Sequence, residues 1–175
     1  AVKKISFTGS TRVGKILMDG ASKTNTKLAL ELGGNAPVII LDDVDIEHVA
    51  KTAATTKFRN CGQVCISPQR FYVHEKIFEE FSALVANYAA ALTVGNGLDS
   101  ETRLGPLINK TQQQHVLQII EQAKEEKNNI ITGGTAQHPG NFVLPTVIEV
   151  TNKQSEFIHK EIFGPVMPLI PFSTI

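Results

Sequence analysis

The sequence has few cysteines, no excess of charge and no long apolar run, and each of these absences excludes a class of protein. Two cysteines in 175 residues, with no cluster of cysteine and histidine, argue against a disulfide framework and a structural zinc site. Lysine plus arginine number 17 and aspartate plus glutamate also number 17, and no basic block stands out. This balance argues against binding to nucleic acid or to an anionic membrane surface.

Membrane and secretory signals are also lacking. No apolar run approaches the roughly 20 residues that a membrane span requires, and no signal peptide is recognisable. A reducing, cytoplasmic compartment is therefore expected. The histidines share no spacing typical of metal ligands, so no metal site is expected either; they are His48, His74, His115, His138 and His159.

What is present is typical of a globular α/β protein. Hydrophobic residues make up 42% of the chain and charged residues 19%, which allows a buried core. Apolar patterning predicts strands at 2–8, 27–32, 37–41, 70–74, 130–132 and 142–150, and helices at 11–22, from 46 towards 58, 75–92 and 111–126. This alternation predicts a largely parallel sheet flanked by helices. Pro145 is expected to place the last strand at a sheet edge or in an irregular pairing.

A cysteine-containing stretch, F-R-N-C-G-Q-V-C from Phe58 to Cys65, has the composition of a nucleophilic site. A thiolate is the reactive form of cysteine, and at an ordinary pKa near ~8.5 only a few per cent is ionised at neutral pH. Gly62 has no Cβ, so the backbone there could approach a substrate closely. Gln63 could add a polar side chain to the same pocket.

Glu31 stands at the end of the apolar strand predicted at 27–32. Burial at such a position would raise its pKa and make it usable as a general base. The alternative is a solvated carboxylate at the end of a strand.

The Gly-Ser-Thr turn after the first predicted strand leads into a helix. Free N–H groups and the helix dipole at such a turn favour an anion, so a phosphate could bind there. The alternative is an ordinary connection between a strand and a helix.

Four motifs occur in one order along the chain: F-T-G-S-T followed by Gly14, E-L-G-G-N-A-P from Glu31, F-x-N-x-G-Q-x-C, and E-I-F-G-P from Glu161. Together they resemble the aldehyde dehydrogenase superfamily. The resemblance implies an aldehyde-dehydrogenase-like α/β fold in which residues 1–33 are the tail of a Rossmann-like dinucleotide-binding domain and residues 34–175 are an incomplete catalytic domain. It also implies that this chain is the central piece of a longer enzyme and is inactive alone.

The resemblance assigns roles to individual residues. Cys65 is implied to attack the aldehyde, and Glu31 to activate the water that hydrolyses the resulting thioester. NAD or NADP is the implied cofactor, and the sequence does not distinguish them. Its implied contacts are Gly9, Ser10, Gly14, Leu32, Glu161 and Phe163. Glu161 would hydrogen-bond the nicotinamide ribose, or alternatively form a simple salt bridge. A small-molecule aldehyde is the implied substrate, and a dimer or tetramer of the full-length chain is expected.

Arg59 precedes Cys65 by six positions. An arginine there resembles the succinate-semialdehyde branch of the superfamily, in which it helps to bind the distal carboxylate of the substrate. A guanidinium matches a carboxylate with two parallel donors, which makes such a pair strong. The alternative is that Arg59 caps the preceding helix or pairs with a surface acid.

Two other functions and one other role for a cysteine stay open. A coenzyme-A-acylating semialdehyde dehydrogenase would pass the thioester to a thiol, although Glu31 disfavours this because hydrolysis is the step that needs a base. A non-catalytic folded fragment is the second alternative. Cys61 is interpreted as a small packing residue, with a reversible cross-link to Cys65 as the lesser hypothesis, provided their Cα atoms lie within ~7 Å.

Overall fold

A computed structural model of the protein describes residues 2–137 and 139–174. The chain divides into two compact units, Ala1–Gly34 and Asn35–Ile175. His138, one of the five histidines expected not to bind a metal, lies outside the described residues. None of the helices in the described part is long and apolar enough to cross a membrane.

The first unit is a strand–helix–strand element. Strand β1 (Lys4–Gly9) lies parallel to β2 (Lys27–Leu32), and helix α1 (Thr11–Ser22) connects them. Helix α1 begins after Ser10, whose side chain accepts a hydrogen bond from the Val13 N–H and so satisfies one free donor of the first turn. The parallel register places Glu31 beside Thr8 at the carboxyl ends of both strands.

The second unit is built on a five-stranded sheet with helices packed against it. Its regular elements, in chain order, are β3 (Ala36–Ile40), α2 (Ile46–Phe58), β4 (Pro68–His74), α3 (Glu75–Ala90), α4 (Lys110–Glu125), β5 (Asn129–Thr132), β6 (Ala136–Gln137), β7 (Phe142–Val143), β8 (Thr146–Glu149) and β9 (Val166–Phe172). The sheet order is β3-β4-β9-β8-β5, and only the β5–β8 pair is antiparallel. The predicted α/β class with a largely parallel sheet is confirmed.

Helix α2 supports the cysteine-containing stretch at its carboxyl end. Asp45 precedes its first residue and stabilises its start, because the Asp45 carboxylate accepts a hydrogen bond from the His48 N–H. Ala50, Ala53 and Phe58 are buried in the core that also contains β4 and α3. A short 3-10 turn (Arg59–Gly62) follows directly and joins this packed helix to Cys65.

The sheet differs from the predicted one in two ways, and both involve proline. The strand predicted at 142–150 is two strands separated at Leu144 and Pro145, and the second of them, β8, lies inside the sheet between β9 and β5 rather than at an edge. Strand β9 was not predicted, although it lies between β4 and β8. Its two prolines, Pro168 and Pro171, lack the N–H that a strand interior normally uses, which makes the segment look unlike a central strand.

Candidate active site

The turn that connects α2 to Cys65 has a left-handed backbone. Asn60, Cys61 and Gly62 have φ values of 49°, 58° and 71°. For residues other than glycine this region costs about 1–2 kcal/mol each, so the turn is kept in place by its surroundings. Backbone strain of this kind is typical of functional sites. The turn ends at Cys65, whose side chain is exposed.

Gln63 fixes the turn to a neighbouring loop. Its Oε1 accepts a hydrogen bond of 3.0 Å from the Ile108 N–H, and its Nε2 donates to the Asn60 carbonyl at 3.3 Å. The Nε2 group also donates to the Pro106 carbonyl at 3.5 Å. The polar atoms of Gln63 therefore bind backbone groups of the chain itself, and its contribution to a substrate pocket stays a prediction.

Gly62 packs against the backbone of the E-I-F-G-P motif. A Cβ atom at position 62 would lie 2.1 Å from the Gly164 carbonyl oxygen, a distance that the two backbones could not keep. The sequence analysis expected this closeness towards a substrate, whereas the structure places the Gly164 backbone there. Two of the four motifs are thereby brought together.

The E-I-F-G-P motif is positioned by glutamine side chains that the sequence analysis did not identify. The Ile162 N–H donates to Gln69 Oε1 at 3.2 Å, and Gln112 Nε2 donates to the Phe163 carbonyl at 2.9 Å. Phe163 has a φ of 50°, and a Cβ added to Gly164 would lie 2.5 Å from a methyl carbon of Val116. No spacing rule in the sequence would have identified these side-chain contacts to the backbone.

Glu161, the first residue of that motif, lies next to an open cleft. The cleft has a volume of about 180 Å³ and is lined by His115, Gln118, Ile119, Gln122, Glu156, Phe157, Lys160 and Glu161. The Glu161 side chain is half-buried. Its carboxylate can therefore be reached by a ligand while its backbone stays fixed by the motif around it.

The two cysteines differ in environment. Cys61 is 1% exposed, and burial raises the pKa of its thiol to about 12, an effect that the nearby Lys57 charge only partly offsets. A thiol with so high a pKa is almost entirely protonated at neutral pH and is a poor nucleophile. Cys65 is exposed and can be reached by a substrate. This difference supports the interpretation of Cys61 as a packing residue, while its cross-link to Cys65 stays a prediction.

Lys57 lies in the last turn of α2 and is completely buried. No acceptor for its Nζ occurs within residues 2–137 and 139–174. Burial lowers the pKa of the Lys57 amine to about 7, and the charges of Glu161 and Cys61 act in the opposite direction. Lys57 is not among the predicted site residues, because lysine is rarely buried without a partner.

Arg59, the candidate carboxylate-binding residue, ends α2 and is exposed. In the part of the chain that the structure describes, its guanidinium forms neither an ion pair nor a hydrogen bond. The alternative in which Arg59 pairs with a surface acid of this chain is therefore not what the structure shows.

The remaining predicted site residues belong to the first unit. Gly9 ends β1, Ser10 begins α1, and a Cβ added to Gly14 would lie 2.8 Å from the Leu32 side chain, so helix and strand pack closely there. Helix α1 has no acidic residue in its first turn that would oppose an anion. Glu31 is exposed at the end of β2, so the expectation that it is buried within this chain is wrong. The roles predicted for these five residues stay predictions.

Comparison with known proteins shows the family to which the chain belongs. The model of the aldehyde dehydrogenase family matches residues 1–175, the whole chain. A solved structure of aldehyde dehydrogenase from Bacillus cereus, in complex with NAD+, superposes with a TM-score of 0.94 at 38% identity, over 98% of this chain and 35% of that one. The chain therefore belongs to the aldehyde dehydrogenase family and has its fold.

Within this family, the chain is similar to curated succinate-semialdehyde dehydrogenases. The chain is 45% identical to the mitochondrial succinate-semialdehyde dehydrogenase of Oryza sativa subsp. japonica, over 99% of its own length and 33% of that protein. It is 38% identical to the NADP(+) succinate-semialdehyde dehydrogenase GabD of Escherichia coli (strain K12), over 98% of its own length and 36% of that protein. The chain thus spans about a third of the length of these relatives.

Proposed function

We propose that the longer polypeptide to which this chain corresponds oxidises a short aldehyde carrying a distal carboxylate, such as succinate semialdehyde, to the carboxylic acid. NAD or NADP is the proposed cofactor. The observation that carries the proposal is the exposed Cys65 thiol at the end of a strained turn, which is fixed against the E-I-F-G-P motif. Family membership and the succinate-semialdehyde dehydrogenases among the relatives support it.

The first step is covalent. The Cys65 thiolate attacks the aldehyde carbon, which forms a carbon–sulfur bond and leaves a tetrahedral thiohemiacetal with a negative oxygen. No described residue accepts a hydrogen bond from the Cys65 backbone N–H, so this donor is available to the oxyanion. One such donor is worth about 2.7–4 kcal/mol in comparable sites.

The cofactor supplies an acceptor for the hydride that leaves the thiohemiacetal carbon, and this loss produces a thioester on Cys65. The residues present fit such a group. The start of α1, without an acidic residue in its first turn, suits a phosphate, and Glu161 beside an open cleft suits a sugar hydroxyl.

The second half of the reaction is hydrolysis. Glu31 takes a proton from a water molecule, and the water oxygen attacks the thioester carbon. The carbon–sulfur bond breaks, the carboxylic acid leaves, and the Cys65 thiolate is restored. Because Glu31 is needed only here, its role is separable from that of Cys65.

Arg59 is the proposed contact for the distal carboxylate. Its guanidinium has no partner in the described part of the chain and lies six positions from the nucleophile, at the end of the helix that positions the turn. A guanidinium–carboxylate pair gives a strong, directional contact.

The test compares two aldehydes of equal chain length, one ω-carboxylated and one neutral, on the full-length enzyme. Arg59→Leu should raise KM for the carboxylated aldehyde at least tenfold, about 1.4 kcal/mol, and leave KM for the neutral aldehyde nearly unchanged. Equal losses on both substrates would show that Arg59 is structural. Product analysis with and without coenzyme A checks the reaction itself, because an acyl thioester product would contradict hydrolysis.

A further inference from the structure

Lys57 is a buried lysine next to the cysteine-containing turn, and the proposed reaction gives it no role. It lies five positions before Gly62 and is 0% exposed, among buried neighbours on α2 that are otherwise apolar: Ala50, Ala53, Ala54 and Phe58. Its Nζ has no hydrogen-bond acceptor in the described part of the chain. Burying an amine without a partner is costly, so a lysine at this position requires a reason.

The surroundings of Lys57 indicate what its charge acts on. The contact between Gly62 and Gly164 brings the end of α2 beside the E-I-F-G-P motif, and Ile162 of that motif is buried there. The titratable groups whose charges act on the Lys57 amine are Glu161, in that motif, and Cys61, in the turn. The Cys61 thiol stays protonated below a pKa of about 12, so Glu161 is the acidic group of the two on which the Lys57 charge can act.

We propose that Lys57 is a positioning residue for the cofactor: its buried ammonium group, in the last turn of α2, orients the Glu161 carboxylate towards the open cleft in which a cofactor hydroxyl would bind. This inference rests on the proposed function, in which Glu161 contacts the cofactor. Lys57 itself touches neither substrate nor cofactor. An amine at the end of a packed helix can exert this effect because the turn and the motif are both held by backbone contacts.

A pH dependence follows from the burial of Lys57. Burial lowers the pKa of its amine to about 7, so it is charged below neutral pH and mostly neutral by pH 9. Its attraction for the Glu161 carboxylate is therefore present at low pH and is lost as the pH rises through 7. The affinity for the cofactor should fall over the same interval.

The experiment uses the full-length enzyme and measures the dissociation constant of NADH or NADPH, whichever binds, by nicotinamide fluorescence at pH 6 and pH 9. Lys57→Met should raise this constant about tenfold at pH 6, where the amine is charged and attracts the Glu161 carboxylate, and much less at pH 9. The matched control is Lys51→Met, because Lys51 is on the same helix but exposed, and this variant should behave as wild type.

The variant Glu161→Gln distinguishes a failure of the inference about Lys57 from a failure of the proposed cofactor role of Glu161. It should weaken cofactor binding and remove the pH dependence. If Glu161→Gln weakens binding but Lys57→Met keeps the wild-type constants at both pH values, the inference about Lys57 is overturned while the proposed function stands. If Glu161→Gln leaves binding unchanged, the cofactor role of Glu161 is wrong and the inference is overturned with it. If Lys57→Met does not fold, the test is the cofactor dissociation constant of the wild-type enzyme. The same constant at pH 6 and pH 9 overturns the inference.

Discussion

Replacing Gly62 by alanine should uncouple the cysteine-containing turn from the E-I-F-G-P motif. The added Cβ would lie 2.1 Å from the Gly164 carbonyl oxygen and 2.6 Å from its carbonyl carbon, and both are backbone atoms that cannot rotate away. Alanine at a φ of +71° also costs about 1–2 kcal/mol relative to glycine. Forced shifts of a packed core typically add about 1–3 kcal/mol. We therefore expect Gly62→Ala to lower the free energy of unfolding by about 2–5 kcal/mol.

The measurement is urea unfolding of the full-length enzyme followed by circular dichroism, together with the rate of aldehyde oxidation. Gly97→Ala is the matched control, because a Cβ there meets nothing within 4 Å and its φ is not in the left-handed region. That variant should stay within about 0.5 kcal/mol of wild type. If Gly62→Ala were as stable and as active as Gly97→Ala, the proposed dependence of Cys65 on the contact with Gly164 would be refuted.

Three further predictions concern charged and nucleophilic groups. Glu31→Gln should retain a rapid burst of reduced cofactor and then turn over very slowly, and loss of the burst itself would show that Glu31 acts before hydrolysis. Iodoacetamide should inactivate the enzyme by modifying Cys65, so Cys61→Ser should be inactivated at the wild-type rate; protection in that variant would contradict the assignment. The free energy of unfolding of the wild-type enzyme should increase relative to that of Lys57→Met between pH 7 and about 10, by up to about 5 kcal/mol. The reason is that Lys57 keeps its proton in the unfolded chain over this interval but loses it in the folded chain. A constant difference across this interval in urea unfolding would argue against a depressed pKa.

The elements that follow local rules could be predicted from the sequence. Helix α1 and strand β2 have the predicted bounds, because apolar periodicity and turn residues agree at both ends. Helix α2 also begins at residue 46 and ends at residue 58, as predicted. The motifs were sufficient to predict the family, since their order along the chain is preserved over its whole length.

The features that depend on tertiary packing could not be predicted. Pro168 and Pro171 lie in the interior strand β9, where the propensity of proline argues against any strand. Lys57 has a side chain typical of surface residues, and only the packing of the folded chain shows that it is buried. The left-handed backbone of Asn60 and Cys61 is imposed by contacts of the folded chain, since neither residue requires it.

The position of β9 in the sheet has a consequence for how the second unit folds. Strand β9 pairs with β4 from Phe71–Leu169 to His74–Phe172, and with β8 from Thr146–Val166 to Glu149–Leu169, so it joins these two strands. Nearly the whole unit must therefore be synthesised before the centre of its sheet can form. Until then, the edges of β4 and β8 that pair with β9 stay unpaired. Contacts so distant along the chain slow folding, and open edges of apolar strands invite aggregation. We expect nascent chains that end before Val166 to need the protection of a chaperone.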